Sequence, residues 1–229
     1  MRMTLSLILT MALIHCNGPS ESIYYVEHTE LTDTRVTDLN SIDWSNSNLL
    51  TNFISPWRDA SANTTFRALW DQDYFYFRFD VEEENILIYQ EDAEQEVVGS
   101  ERVEIFFRKD DQLDPYYCLE MDAAGRKFDN KVSYYRKYNP EWSWPESEIQ
   151  IQAERNLAGY FLMGKISLNS LKELGLIKEN KLQAGLFRGR CLKAGGGDSS
   201  FHWISWVDPQ TEKPDFHVAS SFGELVLVE

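Results

Sequence analysis

The sequence predicts an all-β fold, an antiparallel β-sandwich with one or two short helices. Three observations predict it. Apolar residues recur with a period of two in segment after segment, turn-forming residues separate those segments, and a single stretch carries clear helical spacing. Many short strands with a one-sided apolar pattern bury their apolar faces most simply by packing two sheets together.

Taken in order, 74–81 is the plainest strand. Phe75, Phe77, Phe79 and Val81 fall on one face, Tyr74, Tyr76, Arg78 and Asp80 on the other. Similar alternation runs through 102–108, 116–122, 131–138, 148–153, 160–167, 182–191 and 224–228. Between them stand Asp71-Gln72-Asp73, Asp110-Asp111 with Pro115, Ala124-Gly125, and Ala194 followed by three glycines, all with turn chemistry. The helix is expected over 167–175: Leu168, Leu171 and Leu174 share a face, Ser167 can cap the start, and Gly175 suits the end. A second short helical turn is expected around Trp44. The whole of 17–229 reads as one domain, since no repeat or low-complexity linker divides it.

Composition narrows the function. A net charge of −15 opposes every phosphate contact, which excludes nucleic acid and a basic membrane-surface module. With 43% hydrophobic and 14% aromatic residues the chain can fill a core, so it is no acidic disordered segment. Residues 1–16 read as a signal peptide of lipoprotein type: Arg2 precedes an apolar run, Leu5 to Ile14, too short to span a bilayer. Cys16 follows it, ahead of the small polar stretch Asn17-Gly18-Pro19-Ser20-Glu21-Ser22, and is the candidate lipidation site. The expectation is an exported protein, periplasmic or at the cell surface, touching membrane only through that lipid anchor. Cys118 and Cys191 remain; they read as two separate buried thiols, and their spacing leaves a disulfide open.

Several quoted stretches, in their order, resemble family 9 carbohydrate-binding modules. "ALWDQDYFYFRFDVEEENI" resembles a strand–turn–strand of that family, "SERVEIFFRKDD" the strand after it, and "YYCLEMDAAGRKFD" a strand and glycine turn. "GKISLNSLKELGL" is similar to its strand leading into a short helix. The segments "AGLFRGRC", "WISWVDP" and "DFHVASSFGELVLVE" are similar to its closing pattern. The resemblance covers roughly 24–229. It implies a β-sandwich, noncatalytic binding of sugars, and in many members a structural calcium; glycoside hydrolases or other polysaccharide-utilisation proteins are the implied partners. The acidic turn residues Asp71, Asp73, Asp110 and Asp111 offer the hard oxygens calcium prefers.

A sugar site needs aromatic faces for C–H surfaces and charged or amide groups for hydroxyls. Glu104 shares a strand face with Phe106 and matches a family glutamate that contacts ligand; otherwise it is an exposed carboxylate or one that balances an Arg. Arg188 extends the apolar stripe Leu182, Ala184, Leu186, and a guanidinium there needs a carboxylate or ligand hydroxyls. In the resembling strand the family places a ligand-contacting polar side chain, and an ion pair to Glu104 itself is compatible with that. Phe216, six residues before Phe222-Gly223, stands where family members put a stacking Trp. The family's second stacking Trp falls near Val98, which is not aromatic, so Trp142 and Trp144 are candidates for the missing face. His217 is expected as a side wall or a satisfied structural histidine. Trp206 is a site candidate whose alternative is core, and Trp142 and Trp144 alternatively cap a sheet edge.

Other chemistry finds little support. His202 and His217 lack a third fixed metal ligand, so no metal site is assigned. A haem would need a Met/His pair, for which Met121 or Met163 would have to meet one of these histidines by chance. There is no nucleophile elbow, HExxH pattern, P-loop or dinucleotide-binding glycine fingerprint. Glu104, Glu120 and Asp122 leave a small hydrolase or lyase as an alternative, and a surface assembly protein without sugar binding as another. The expectation is noncatalytic carbohydrate binding in support of carbohydrate catabolism.

Overall fold

The computed structural model describes residues 22–30, 38–92 and 96–229; the signal segment and Cys16 lie outside them. Thirteen strands form one continuous, curled sheet that folds over on itself. Its elements in chain order are β1 (Ile23–His28), β2 (Thr64–Trp70), β3 (Tyr74–Glu82), β4 (Arg102–Arg108), β5 (Tyr116–Asp122), β6 (Lys127–Ser133) and β7 (Lys137–Asn139). After these come β8 (Ile149–Asn156), β9 (Gly159–Ser167), α1 (Leu168–Glu173), β10 (Ile177–Lys178), β11 (Lys181–Lys193), β12 (Ser200–Ser205) and β13 (Gly223–Val228). The order across the sheet is β7-β6-β5-β4-β11-β13-β1-β2-β3-β9-β8, with β10 and β12 both paired to β11.

The thirteen-residue β11 makes the fold-over. Its first residues pair with β13, while Phe187 onward pair with β12. One layer therefore holds β7, β6, β5, β4 and the far half of β11 with β12; the other runs from β13 through β1, β2, β3 and β9 to β8. Alternation decides what lies between them. Phe75, Phe77 and Phe79 of β3 share one buried core with Val103, Ile105 and Phe107 of β4, Leu119 of β5, and Leu182, Ala184 and Leu186 of β11. Phe75 and Phe107 meet edge to face at 6.5 Å across the layers.

Each of the eight alternating segments lies in strand, with two changes of detail. Stretch 131–138 breaks into β6 and β7 at the exposed Tyr134-Tyr135-Arg136, where Arg136 takes a left-handed φ of 55°. The antiparallel expectation fails at β1 alone, which runs parallel to both β13 and β2. The helix is where its leucines put it: Ser167 accepts from Ser170 N, Gly175 has φ +71°, and Leu168 and Leu171 enter the core. The helical turn expected at Trp44 falls slightly earlier, as a 3-10 turn over Leu39–Ser41. Cys118 and Cys191 are both buried free thiols.

Candidate functional site

Parity along β4 aims Arg102, Glu104, Phe106 and Arg108 outward, away from the core residues Val103, Ile105 and Phe107. The neighbouring strands bring Tyr116, Cys118 and Glu120 of β5, Phe187 of β11, and Phe201 and Trp203 of β12 to the same outer face. The segment between β12 and β13 folds over it. Phe216 stacks flat on Phe187, with centroids 4.0 Å apart and planes 10° from parallel. Arg108 pins the segment by donating to the Ala219 carbonyl at 2.9 Å and lying over the Phe222 ring. Gly189 keeps the floor flat, because a Cβ there would stand 3.2 Å from the Trp203 ring and 3.3 Å from the Arg102 guanidinium.

A pocket of about 240 Å³ remains on this face, room for a single sugar ring. It is walled by Val98, Arg102, Glu104, Phe106, Glu120, Arg136, Tyr138, Trp203, Asp215, Phe216 and His217. At its base two carboxylates share one guanidinium. Glu104 and Glu120 are direct cross-strand partners, and Arg102 Nε lies 2.9 Å from Glu104 Oε1 and 2.7 Å from Glu120 Oε2. Nε carries one hydrogen, and it is aligned on Glu120. Glu104 Oε1 therefore sits within ion-pair range but without an aligned donor, although Glu104 is only 2% exposed. Burial and the charge of Glu120 push the Glu104 carboxyl up to about 8, against the pull of Arg102. The Arg102 guanidinium is itself held between the Val98 carbonyl at 2.8 Å and the rings of Phe201 and Trp203.

The opposite wall is a second polar cluster. Asp215 accepts from Tyr135 Oη at 2.6 Å, from Arg136 at 2.9 Å and from the His217 backbone N–H at 2.9 Å. Burial raises its carboxyl, but these three donors outweigh it and hold the group below the usual carboxylate range. His217 Nδ1 is 2.6 Å from Tyr116 Oη, and its ring packs against Phe106, Tyr116, Tyr135 and Tyr138. Burial, helped by Arg136 and opposed by Asp215, lowers it to about 4, so the imidazole is neutral at pH 7.

Of the residues singled out in the sequence, the structure brings Glu104, Phe216 and His217 together in this pocket. It separates the others. Arg188 is opposite Val103 in register, whereas Phe187 is opposite Glu104, so the pairing of Arg188 with Glu104 is corrected. Arg188 points into the sandwich interior, 1% exposed. There Nε donates to Glu101 at 2.7 Å, one terminal nitrogen meets Glu83 at 3.0 Å, and the other donates to the Ala62 carbonyl at 3.2 Å. Trp206 and Trp144 are buried in the inter-layer core and present no free face. Trp144 donates through Nε1 to Ser170 Oγ at 2.8 Å, and Trp142 packs beside it on Tyr117. Phe216 is 6% exposed with one face covered by Phe187, so it forms floor more than platform.

Of the acidic turn residues, Asp71, Asp110 and Asp111 are engaged locally. Asp71 accepts from the Asp73 and Tyr74 N–H groups and from Tyr76 Oη, and Asp111 pairs with Arg108. No cluster of three or more His, Cys, Asp or Glu side chains suited to a metal ion occurs among the described residues.

Arg102, Arg136, Tyr138, Trp203 and Asp215 escaped the sequence reading. Arg102 lies two positions before Glu104 on the same strand face, a signal alternation already contained. Trp203 was hidden because Phe201 and Trp203 fall on one face of β12 and Ile204 on the other, so alternation does not declare which face turns outward.

A sandwich bearing one ring-sized, carboxylate-based pocket on a sheet face defines a small-ligand binding module. The chain belongs to the carbohydrate family 9 binding domain-like family, whose model matches residues 39–229. Similar solved structures share its fold. A candidate carbohydrate-binding protein from Bacteroides uniformis matches with TM-score 0.66 at 17% identity, covering 90% of this chain and 99% of that one. A family 9 carbohydrate-binding module from Caldicellulosiruptor kristjanssonii matches in complex with cellotriose (TM-score 0.57, 14% identity, 90% and 93% covered). It matches again in complex with glucose (0.57, 15%, 90% and 95%). No curated protein matches the chain at significant similarity.

Proposed function

We propose that this chain binds carbohydrate without turning it over, in the outer-face pocket, with Arg102, Glu104 and Glu120 gripping hydroxyls beneath Trp203. The observation that carries the reading is Glu104 Oε1, a buried acceptor at the pocket base with no aligned donor. A buried carboxylate oxygen left bare is unfavourable, and a ligand hydroxyl donates the missing hydrogen. Family membership and the sugar complexes of the Caldicellulosiruptor module support the same ligand class.

A noncatalytic role fits the placement of the carboxylates. Glu104 and Glu120 are cross-strand neighbours that share Arg102, and the third pocket carboxylate, Asp215, is engaged by Tyr135, Arg136 and the His217 N–H. The apolar run ending at Cys16 supports an exported, lipid-anchored protein that presents this pocket to polysaccharide alongside glycoside hydrolases.

A glycan array probed with residues 17–229 tests the ligand class; retention on a defined set of glycans is expected. Absence of binding across the array, or equal binding by Glu104→Gln at pH 8.5, where the group is ionised, contradicts the reading. Partition of Cys16→Ser into the soluble fraction of cells tests the anchor.

A further inference from the structure

The pocket holds one ring, so a longer ligand must leave through its mouth. One side of that mouth is the turn between β6 and β7. Tyr138 lines the pocket and is 45% exposed, and its ring is 6.2 Å from His217. Tyr135, 44% exposed, lies 6.5 Å from the same histidine, and the ring of Tyr134, 52% exposed, is 5.4 Å from that of Tyr135. Scattered exposed tyrosines need no explanation, but a run of them leading outward from a pocket is a continuous aromatic surface.

The run is also held in place. Tyr135 Oη and the Arg136 guanidinium both donate to Asp215, and Tyr134 N–H donates to the Leu113 carbonyl at 3.0 Å. Such anchoring keeps the rings ordered before ligand arrives, which reduces the entropy lost on binding. Val98, which also lines the pocket, offers no aromatic surface.

We infer that Tyr134, Tyr135 and Tyr138 form a second subsite, which stacks the next sugar ring of an oligosaccharide whose end occupies the pocket. The inference rests on the carbohydrate reading above and adds to it a preference for chains over single sugars.

Tyr134→Ala tests it, because this side chain is exposed and its backbone bond to Leu113 survives. Tyr25→Ala is the control, an equally exposed tyrosine of β1, outside the pocket. Calorimetric titration uses matched pairs: glucose and cellotriose, xylose and xylotriose, mannose and mannotriose. For the pair that binds, the wild type is expected to hold the trisaccharide more tightly than the monosaccharide. Tyr134→Ala should weaken the trisaccharide about five- to tenfold and leave the monosaccharide unchanged, while Tyr25→Ala changes neither. Equal wild-type affinity for both members of the pair overturns the subsite. So does a Tyr134→Ala variant that binds the trisaccharide like wild type, or that loses both sugars alike. If the wild type binds no pair, the pocket reading itself fails and the subsite falls with it.

Discussion

Two clusters of arginine and glutamate lie on opposite faces of the layer that pairs β4 with β11, and they differ in how completely they are hydrogen-bonded. Inside the sandwich, Arg188 bridges Glu83 and Glu101. Glu101 receives a second donor from the Cys191 backbone N–H at 2.7 Å, and Glu83 also receives Arg190 and the Asn85 N–H. Outside, Arg102 serves Glu104 and Glu120 with a single aligned Nε hydrogen, and one oxygen of Glu104 goes without. A satisfied buried ion cluster holds elements together and has nothing left for a ligand. An incomplete one at a pocket base has a vacancy that a hydroxyl can fill. The contrast assigns structure to Arg188 and recognition to Arg102 and Glu104.

The largest expected effect breaks the inner cluster. Arg188→Met leaves Glu101 and Glu83 buried with too few donors, and should destabilise the fold by about 3–5 kcal/mol in urea titration. A variant of wild-type stability that had lost sugar affinity would reverse the assignment. Phe216→Ala comes next. It removes a ring packed on Phe187 and near Trp57 and Trp203, and should lower stability by about 3 kcal/mol. Its affinity loss, measured on the folded fraction, should be smaller than that of Trp203→Ala.

Glu104→Gln sharpens the contrast from the other side. At pH 8.5, where the carboxylate is ionised, it should weaken sugar binding by roughly 1.5–3 kcal/mol with the fold intact. The effect should shrink toward pH 6, since the wild-type group then carries its proton. The smallest effect is on stability against pH. Glu104 titrates near 8 in the native protein against an ordinary value of 4.5, so within that window the native state holds a proton the unfolded chain has lost. Its contribution to stability therefore falls as pH rises. His217, lowered from 6.5 to about 4, contributes the opposite slope between those values. Above pH 6.5 only the Glu104 slope remains of the two, and stability declines toward pH 8. Urea titrations across that range should show the decline, and Glu104→Gln should flatten it.

Much of the fold was legible because strand parity is local. Phe75, Phe77 and Phe79, or Val103, Ile105 and Phe107, declare their face without knowledge of any partner strand. The same parity placed Arg188 correctly on the inner stripe. What it could not supply was register: only the alignment of Phe187 with Glu104 reveals that Arg188 and Glu104 point apart. Trp203 and Trp206 illustrate the same limit, since an aromatic three residues from another says nothing of which one turns outward. The alternation of Val132, Tyr134, Arg136 and Tyr138 predicts one continuous strand; the turn that divides it depends on the left-handed Arg136 and on Asp215, some eighty residues away in the chain.

The central claim is that ligand lies on the outer face, against Arg102, Glu104 and Trp203, and not among the aromatics of the core. The indole N–H signals of the seven tryptophans report this directly in a nitrogen–proton correlation spectrum. On titration with the oligosaccharide selected by the array, the Trp203 signal should shift saturably while Trp144 and Trp206 stay in place. A still Trp203 signal, with saturable shifts at Trp142 or Trp144 instead, would contradict the account.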